Sequence, residues 1–331
     1  MKSRFRNGRG FFVAQVMNLR FWSLCLLAGV VSLSSCQRKR TSTAPKTVTV
    51  RADGALELNL MSFNIRYENP GDLESRSWPQ RVVGAVKMIR RERPDIIGVQ
   101  EALHGQAADL WASLPDYEFF GVGRDDGRQA GECSGIYYQR GRFRRDPGDC
   151  GTFWLSDTPE RVGSMTWGNG IPRVAAWMRL IDRASGRGFY VFNTHWDHRN
   201  QPSRERAALM IAQRIDSRKH ADEPVALIGD FNSIESNPGM IYLQGTRVAV
   251  AGVEQVWENG LVDTFQSLHA TEKNRRTLHF WTDTRAGQVK VDHILVSRGT
   301  RIEAAEIIAS DRPMVSDHFP VTARVLFPLT K

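Results

Sequence analysis

Residues 225–233 read VALIGDFNS. Val225 to Gly229 is apolar enough for a fully buried strand, yet the run ends on Asp230, one Phe and then Asn232. A carboxylate at the lip of a core is costly to desolvate unless it is paired or ligates something. The stretch therefore asks for a partner, and other strand-like runs end the same way. LELNLMSF (56–63) delivers Asn64, PDIIGVQ (94–100) delivers Glu101, and GFYVFNT (188–194) delivers His195 and then Asp197. Asp292 sits inside the alternating run VKVDHILVS (289–297), and MVSDHFPVTARV (314–325) places Asp317 and His318 just before another strand.

Singly, each residue has a bland reading. Asn64 alone is a turn or cap, Glu101 a helix-start acid, Asp230 and Asn232 a turn, and either histidine a satisfied structural one. Asp292 resists this, because a buried unpaired carboxylate costs several kcal/mol; His318 is its natural partner. Convergence of these strand ends on one place is the economical explanation.

The chain of 331 residues, 41% hydrophobic, can bury a large core. Its formal charge of +9 is concentrated at the start: residues 1–40 hold eight Lys or Arg and no acid, which leaves +1 for the rest. A basic body is thus unavailable as an argument for nucleic acid, although a local basic groove is not. The basic start, the apolar run SLCLLAGVVSL (23–33) and the LSSC ending at Cys36 read as an export signal too short to span a bilayer. LSSC resembles a bacterial lipobox, so residues 1–35 are expected to be a lipoprotein signal peptide, Cys36 the lipidated residue, and residues 36–54 a tether. The body, 55–331, is then a membrane-anchored, exported domain, expected to act as a monomer. In an oxidising compartment Cys133 and Cys150 either pair, should 136–145 form a hairpin turning at Gly141 and Arg142, or stay as two separate buried thiols.

From residue 55 the chain alternates short apolar strands with amphipathic helices, with no linker or internal repeat. One helix is expected from near Ser77 through Val82, Val86 and Ile89 to just before Pro94; a second follows Pro202 with Ala207, Met210, Ile211 and Ile215 inward; a third begins at Asn237-Pro238. From this pattern alone a doubly wound parallel sheet is the alternative fold, but no glycine-rich phosphate loop is present.

The ordered motifs MSFNIR (61–66), GVQE (98–101), FNTHWDH (192–198), LIGDFNS (227–233), VDHILVS (291–297) and SDHFPV (316–321) resemble those of the endonuclease/exonuclease/phosphatase superfamily over residues 57–327. GVGRDDG (121–127), Glu132 and GTFWLSDTP (151–159) resemble its branch of deadenylases, nocturnin-type phosphatases and uncharacterised bacterial proteins. The resemblance implies a DNase I-like α/β fold of the α+β kind: a four-layer α/β/β/α sandwich with its site where strand-end loops meet.

The resemblance also implies roles. Glu101 is the expected metal ligand, with Asn64 beside it and Asp317 reaching the ion through water; hard oxygens suit Mg²⁺, with Mn²⁺ the alternative. Asp230 orients or deprotonates the attacking water, and Asn232 fixes that carboxylate or donates to the phosphoryl group. His195 and His318 donate to phosphoryl oxygens, and Asp292 sets the tautomer of His318 and raises its pKa. Arg124, Asp125, Asp126 and Glu132 either line the site or form a solvated turn; Asp197 and His198 either shape the pocket or cap a loop. Arg124 and Trp281 are candidate substrate contacts, with core packing the other reading for Phe280 and Trp281. VDH stands where many relatives carry an aromatic after the acid, which separates the substrate question from the reaction centre. The leading expectation is a Mg²⁺-dependent phosphodiesterase acting on nucleic acid or nucleotides. A phosphatase or lipid-headgroup phosphodiesterase is the alternative among enzymes, and a catalytically silent binding module the alternative outside them.

Overall fold

A computed structural model describes residues 54–328. The signal peptide, Cys36 and the tether up to residue 53 lie outside the described residues. Among those described, no helix is long and apolar enough to cross a membrane.

The strands are, in chain order, β1 (Leu56–Asn64), β2 (Ile96–Ala102), β3 (Tyr117–Phe120), β4 (Cys133–Gln139), β5 (Phe143–Trp154), β6 (Val174–Asp182) and β7 (Gly188–His195). They continue with β8 (Val225–Asp230), β9 (Val248–Val250), β10 (Val253–Gln255), β11 (Val262–Asp263), β12 (Asp292–Val296), β13 (Arg301–Ile307) and β14 (Val321–Phe327). The α-helices are α1 (Trp78–Glu92), α2 (His104–Ser113), α3 (Gln201–Asp216), α4 (Pro238–Leu243) and α5 (Thr264–Leu268). The three expected helices are α1, α3 and α4. Arg93 in the left-handed region closes α1 ahead of Pro94, and the Asn237 side chain accepts from the Gly239 amide to cap α4.

Two six-stranded sheets, ordered β13-β14-β1-β2-β4-β3 and β11-β12-β8-β7-β6-β5, repeat one plan. Each has a central parallel pair, β1 with β2 and β7 with β8, flanked by antiparallel strands. Parallel neighbours need a crossover, supplied by α1 in one sheet and α3 in the other. Period-two alternation then builds four layers. Leu58 and Leu60, Val191, Ala226 and Ile228, and Ile294 share the core between the sheets. Met61, Phe63, Ile97 and Val99 face α1 and α2, while Tyr190, Phe192, Val225 and Leu227 face α3 and α4. The four-layer sandwich expected from the sequence is the one observed.

This topology decides where the polar strand ends go. Parallel neighbours finish at the same edge, so β1 and β2 deliver Asn64 and Glu101 together, and β7 and β8 deliver His195 opposite Asp230. Strands antiparallel to them begin at that edge, so Asp292 opens β12 opposite Asp230, and His318 precedes β14. One row deeper the inter-sheet layer turns polar before it turns catalytic. Asn193 Nδ2 donates to the Val99 and Gly135 carbonyls at 2.8 and 2.7 Å, and its Oδ1 accepts from Gln100 Nε2 at 2.7 Å. Asn193 thereby ties the two sheets beneath the site. Asn193→Leu strips the bonds from two buried carbonyls, so urea unfolding should show a loss of about 2–4 kcal/mol; a loss below about 1 kcal/mol would remove Asn193 as the sheet tie.

The disulfide expectation is corrected. The turn at Arg140–Arg142 carries the chain from one sheet to the other, so β4 and β5 do not form a paired hairpin: β5 pairs with β6, Cys150 opposite Met178. Cys133 is buried in the core under α1 and α2, Cys150 is half-buried against the inter-sheet core, and both thiols are free.

Candidate active site

Asp230 is at the centre of the strand-end cluster. The residue after it, Phe231, is fully buried on the helix side of its sheet, edge-on to Trp196 and His293. With Phe231 fixed there, Asp230 points between the sheets. Asn232 then adopts a left-handed φ of 46°, a conformation Asn tolerates, and its amide donates to Asp230 Oδ1 at 2.9 Å. Asp230 Oδ2 accepts from Asn64 Nδ2 at 2.9 Å. The same Nδ2 donates to Glu101 Oε1 at 3.0 Å, so one amide group bridges two acids. Asn64 Oδ1 accepts from the Arg66 amide at 3.0 Å, which fixes the orientation of the side chain. Asn64, expected as a ligand, thus offers nitrogen rather than oxygen to the cluster.

Glu101 reaches the cluster through an irregularity. Alternation along β2 would send it to the helix side with Ile97 and Val99. The pairing of β2 with β4 slips between Val99 and Ala102, and Glu101 takes a φ of 60°. That bulge turns its carboxylate inward, where Oε2 accepts from the Tyr67 amide at 3.1 Å. A glutamate held in the left-handed region costs roughly 1–3 kcal/mol, a strain typical of functional positions.

His318 Nδ1 lies 2.8 Å from Asp292 Oδ2, and its Nε2 lies 3.8 Å from Asp230 Oδ2. Burial works against its charge, but the Asp292 and Asp230 carboxylates outweigh burial and hold its pKa well above the ordinary histidine value. His318 is therefore an imidazolium with both nitrogens protonated. Ligand atoms of Glu101, Asp230 and His318 fall within 4.8 Å of one another, but a protonated ring cannot ligate a cation. The oxygens of Glu101 and Asp230, with the Asp317 carboxylate nearby and electrostatically coupled to Glu101, are the donor set that fits an oxygen-seeking divalent ion. Burial, and then Asp292, push the Asp230 carboxyl up to about 7. Burial likewise raises Asp317, partly offset by His318.

His195 has the opposite character. Burial first, then Arg173 and Arg124, press its pKa well below the ordinary value, so the ring is neutral. Asn232 Nδ2 is 3.0 Å from both the Trp196 carbonyl and His195 Nε2; the carbonyl can only accept, so this amide nitrogen donates to both. The proton of His195 is then on Nδ1, which faces Glu132 Oε2 at 4.0 Å, while Nε2 lies 3.5 Å from Asp230 Oδ2.

Several supporting residues were not visible in the sequence. Arg81, buried on α1, donates to the carbonyls of Ile65 (2.5 Å), Arg66 (2.9 Å) and Val315 (2.9 Å) and so staples the segments carrying Asn64 and Asp317. Ser316 Oγ donates to the Asn64 carbonyl at 2.7 Å. Arg173, just before β6, has Nη2 3.0 Å from His198 Nδ1 and Nε 3.9 Å from Asp197. No signal separates these from surface arginines and serines. Arg124 forms a bidentate pair with Glu132, both bonds 2.8 Å, at the edge of the cluster. Asp126 is spent on the amides of Arg128 and Ala130, and Asp197 on those of Arg199 and Asn200, which makes them loop-forming residues. Trp281 lies over the guanidinium groups of Arg76 and Arg81 at 5.2 and 5.7 Å, and Phe280 is 68% exposed. Core packing of Phe280 is thus overturned: φ values of 49° and 64° at residues 280 and 281 turn the loop outward.

Two mixed sheets with helices outside, and a cluster of acids, amides and histidines at the matched strand ends, define a phosphoesterase architecture. The chain belongs to the Endonuclease/Exonuclease/phosphatase family, whose pattern matches residues 61–318, and members of this family hydrolyse phosphoesters. The structure is similar to that of an endonuclease/exonuclease/phosphatase from Bacteroides vulgatus, with 31% identity, a TM-score of 0.73, and 82% of this chain and 98% of that one covered. It is also similar to a mannosyl-6-phosphatase from Bacteroides thetaiotaomicron, with 28% identity, a TM-score of 0.71, and coverage of 82% and 100%. The human nocturnin catalytic domain, 17% identical with a TM-score of 0.62 and coverage of 81% and 94%, shares the fold. An uncharacterized Acanthamoeba polyphaga mimivirus protein is 27% identical over 163 residues, 47% of this chain and 59% of that protein, so the chain spans less than two thirds of it.

Proposed function

We propose that this protein is a divalent-metal-dependent phosphoester hydrolase, using Mg²⁺ or Mn²⁺ and a water activated by Asp230. The observation that carries this reading is the meeting of Glu101 and Asp230 through the single Asn64 amide, with imidazolium His318 alongside. A divalent cation held by Glu101, with Asp230 and Asp317 in reach, supplies charge neutralisation on phosphoryl oxygens. The chain's own groups do the rest. Asp230, ionised, takes the proton of the water whose oxygen bonds to phosphorus. The ester P–O bond breaks, its electron pair leaving on the ester oxygen, which then takes up a proton. His318 Nε2–H donates to the phosphoryl oxygens as negative charge grows on them, and His195, its Nε2 3.5 Å from Asp230 Oδ2, borders the same group. Asp292 keeps His318 charged.

The sequence-based leading expectation was a diesterase acting on nucleic acid or nucleotides. The near-neutral body argues against long polyanions, which need a basic track. The likeness to a mannosyl-6-phosphatase supports a small phosphate ester. The lipobox supports an envelope-anchored location. The test is release of nitrophenol from p-nitrophenyl phosphate and bis-p-nitrophenyl phosphate with Mg²⁺ or Mn²⁺, against EDTA and against Glu101→Gln. EDTA should abolish turnover, and Glu101→Gln should lower it about 10²-fold or more while shrinking the thermal shift that the metal induces. No metal-dependent turnover across a broad ester panel would favour the binding module.

A further inference from the structure

Behind the reaction centre is a second cluster of titratable groups that the hydrolysis above does not use. Lys290 and His293 are fully buried and Asp263 nearly so. Asp263 Oδ2 accepts from Lys290 Nζ at 2.9 Å and lies 2.6 Å from His293 Nδ1, which is itself 2.6 Å from Lys290 Nζ. Glu235, 3.7 Å from Lys290 Nζ, is also paired with Arg275. His293 Nε2 lies 2.9 Å from the Ser233 carbonyl, which can only accept, so Nε2 carries a proton and donates it. Two N–H groups cannot point at each other across 2.6 Å, so Lys290 and His293 Nδ1 share one proton and one positive charge. Wherever that proton sits, Nε2 keeps its own. Burial works against the charge on Asp263, but Lys290 and His293 outweigh burial and hold its carboxyl far below the ordinary range. An ion pair this deep often adds little over apolar packing, so its use lies in the ring it orients.

Ser233 closes the turn that begins at Asp230. The Phe231 amide, donating to the Val291 carbonyl at 2.8 Å, holds the near end of that turn, and His293, two residues further along the same segment, holds the far end. Between the two anchors Asn232 takes its left-handed φ of 46°, with its amide on Asp230 Oδ1 and its Nδ2 on His195 Nε2 and the Trp196 carbonyl. A residue other than glycine leaves that conformation unless its surroundings over-determine it. Asp292, between Val291 and His293, carries the His318 ring. We infer that His293, its ring fixed by Asp263 and Lys290, is a positioning residue for the reaction centre. Its Nε2–H pins the Ser233 carbonyl, holds Asn232 in the left-handed turn, and so keeps Asp230 and His195 in register with the Asp292–His318 pair. This rests on the hydrolase reading above. The three residues act through Asn232 and not on the ester itself.

The test uses the full chain with Mg²⁺ or Mn²⁺ and whichever nitrophenyl ester turns over faster, each variant assayed well below its own melting temperature. His293→Phe keeps a ring against Phe231 and removes the donor. Its kcat should fall about 10–10²-fold with KM within about threefold, the signature of a misplaced reacting group. His293→Gln, whose amide nitrogen reaches the place of Nε2, should recover at least about threefold of that loss. In an Asn232→Ala background His293→Phe should cost less than about threefold, because the link it acts through is already gone. A general loosening of the fold costs the same factor in both backgrounds, and that result would overturn the inference. The Asn232 side-chain amide and His195 ring resonances read the geometry without turnover. Both should move in His293→Phe and return in His293→Gln. If no ester is hydrolysed but the resonances behave in this way, the positioning role stands and the hydrolase reading falls. Resonances unmoved in a folded His293→Phe protein remove the role whatever the activity.

Discussion

Asp230→Asn should cut kcat/KM by about 10²–10⁴-fold while making the metal-free protein more stable at alkaline pH. The loss of rate follows from removing the base. The gain in stability follows from the environment that makes Asp230 a base. It is buried and lies opposite Asp292 across the β8/β12 ladder, and these push its carboxyl up to about 7, well above the ordinary carboxylate range. Between that range and about 7 the folded chain binds a proton that the unfolded chain releases, so stability falls as pH rises through that window. Once the carboxylate is fully ionised the penalty is on the order of a few kcal/mol. The amide avoids it but sets an NH₂ against the Asn64 Nδ2 donor or the Asn232 amide, which costs about 1–3 kcal/mol. Unfolding in EDTA should therefore show the variant gaining from pH 4 to 7 and ending about 1–3 kcal/mol above wild type at pH 8. The same carboxylate sets the acid limb of the wild-type rate profile, with activity rising as pH climbs toward 7; a cation beside it shifts that limb to lower pH. A variant that keeps its rate within tenfold, or melts lower at pH 8, would show that Asp230 is not this strained base.

Asp292→Asn carries the second large effect. Asp292 Oδ2 accepts from His318 Nδ1, and Asp292 is the carboxylate that does most to hold that ring's proton. The neutral amide leaves His318 buried without its main counter-charge, so the ring deprotonates near neutrality and Nε2 stops donating. We expect kcat/KM to fall about 10²–10³-fold, with the His318 pKa dropping in a proton NMR titration. Asp292 acts through His318, so Asp292→Asn combined with His318→Ala should be no slower than His318→Ala alone. Multiplicative losses in the double variant, or an unmoved His318 titration, would mean that Asp292 has a separate task.

The N-terminal expectations, concerning residues 1–53, lie outside the described residues. Within the body, the sequence carried most of the site because strand alternation is local. Once Leu58 and Leu60 face the inter-sheet core, so do Ser62 and Asn64; once Ala226 and Ile228 do, so does Asp230. Residues two apart share a face whatever the rest of the chain does. Polar residues closing apolar runs were therefore readable as a set, and His318 was readable as the partner of Asp292.

Where a side chain's role depends on the partner strand, reading failed. Glu101 was named for the site, but alternation would have turned it away; a bulge in its pairing with β4 brings it in. Cys133 and Cys150 look like hairpin partners until the chain crosses between sheets. Nothing in the sequence marks Arg173 or Asn193; only the fold sets Arg173 against His198 and Asp197, and Asn193 against the carbonyls of the facing sheet.

By itself, then, the sequence determined the inventory: which strands end in acids, amides and imidazoles, and, Glu101 apart, on which face of each strand these lie. The tertiary structure alone decided which of them meet, which arginines are buried beside them, and which cysteines stay apart. The physical reason is range. Side-chain direction along a strand is fixed by covalent geometry over two residues, whereas charge balance, desolvation and sheet pairing are summed over groups brought together from more than a hundred positions away.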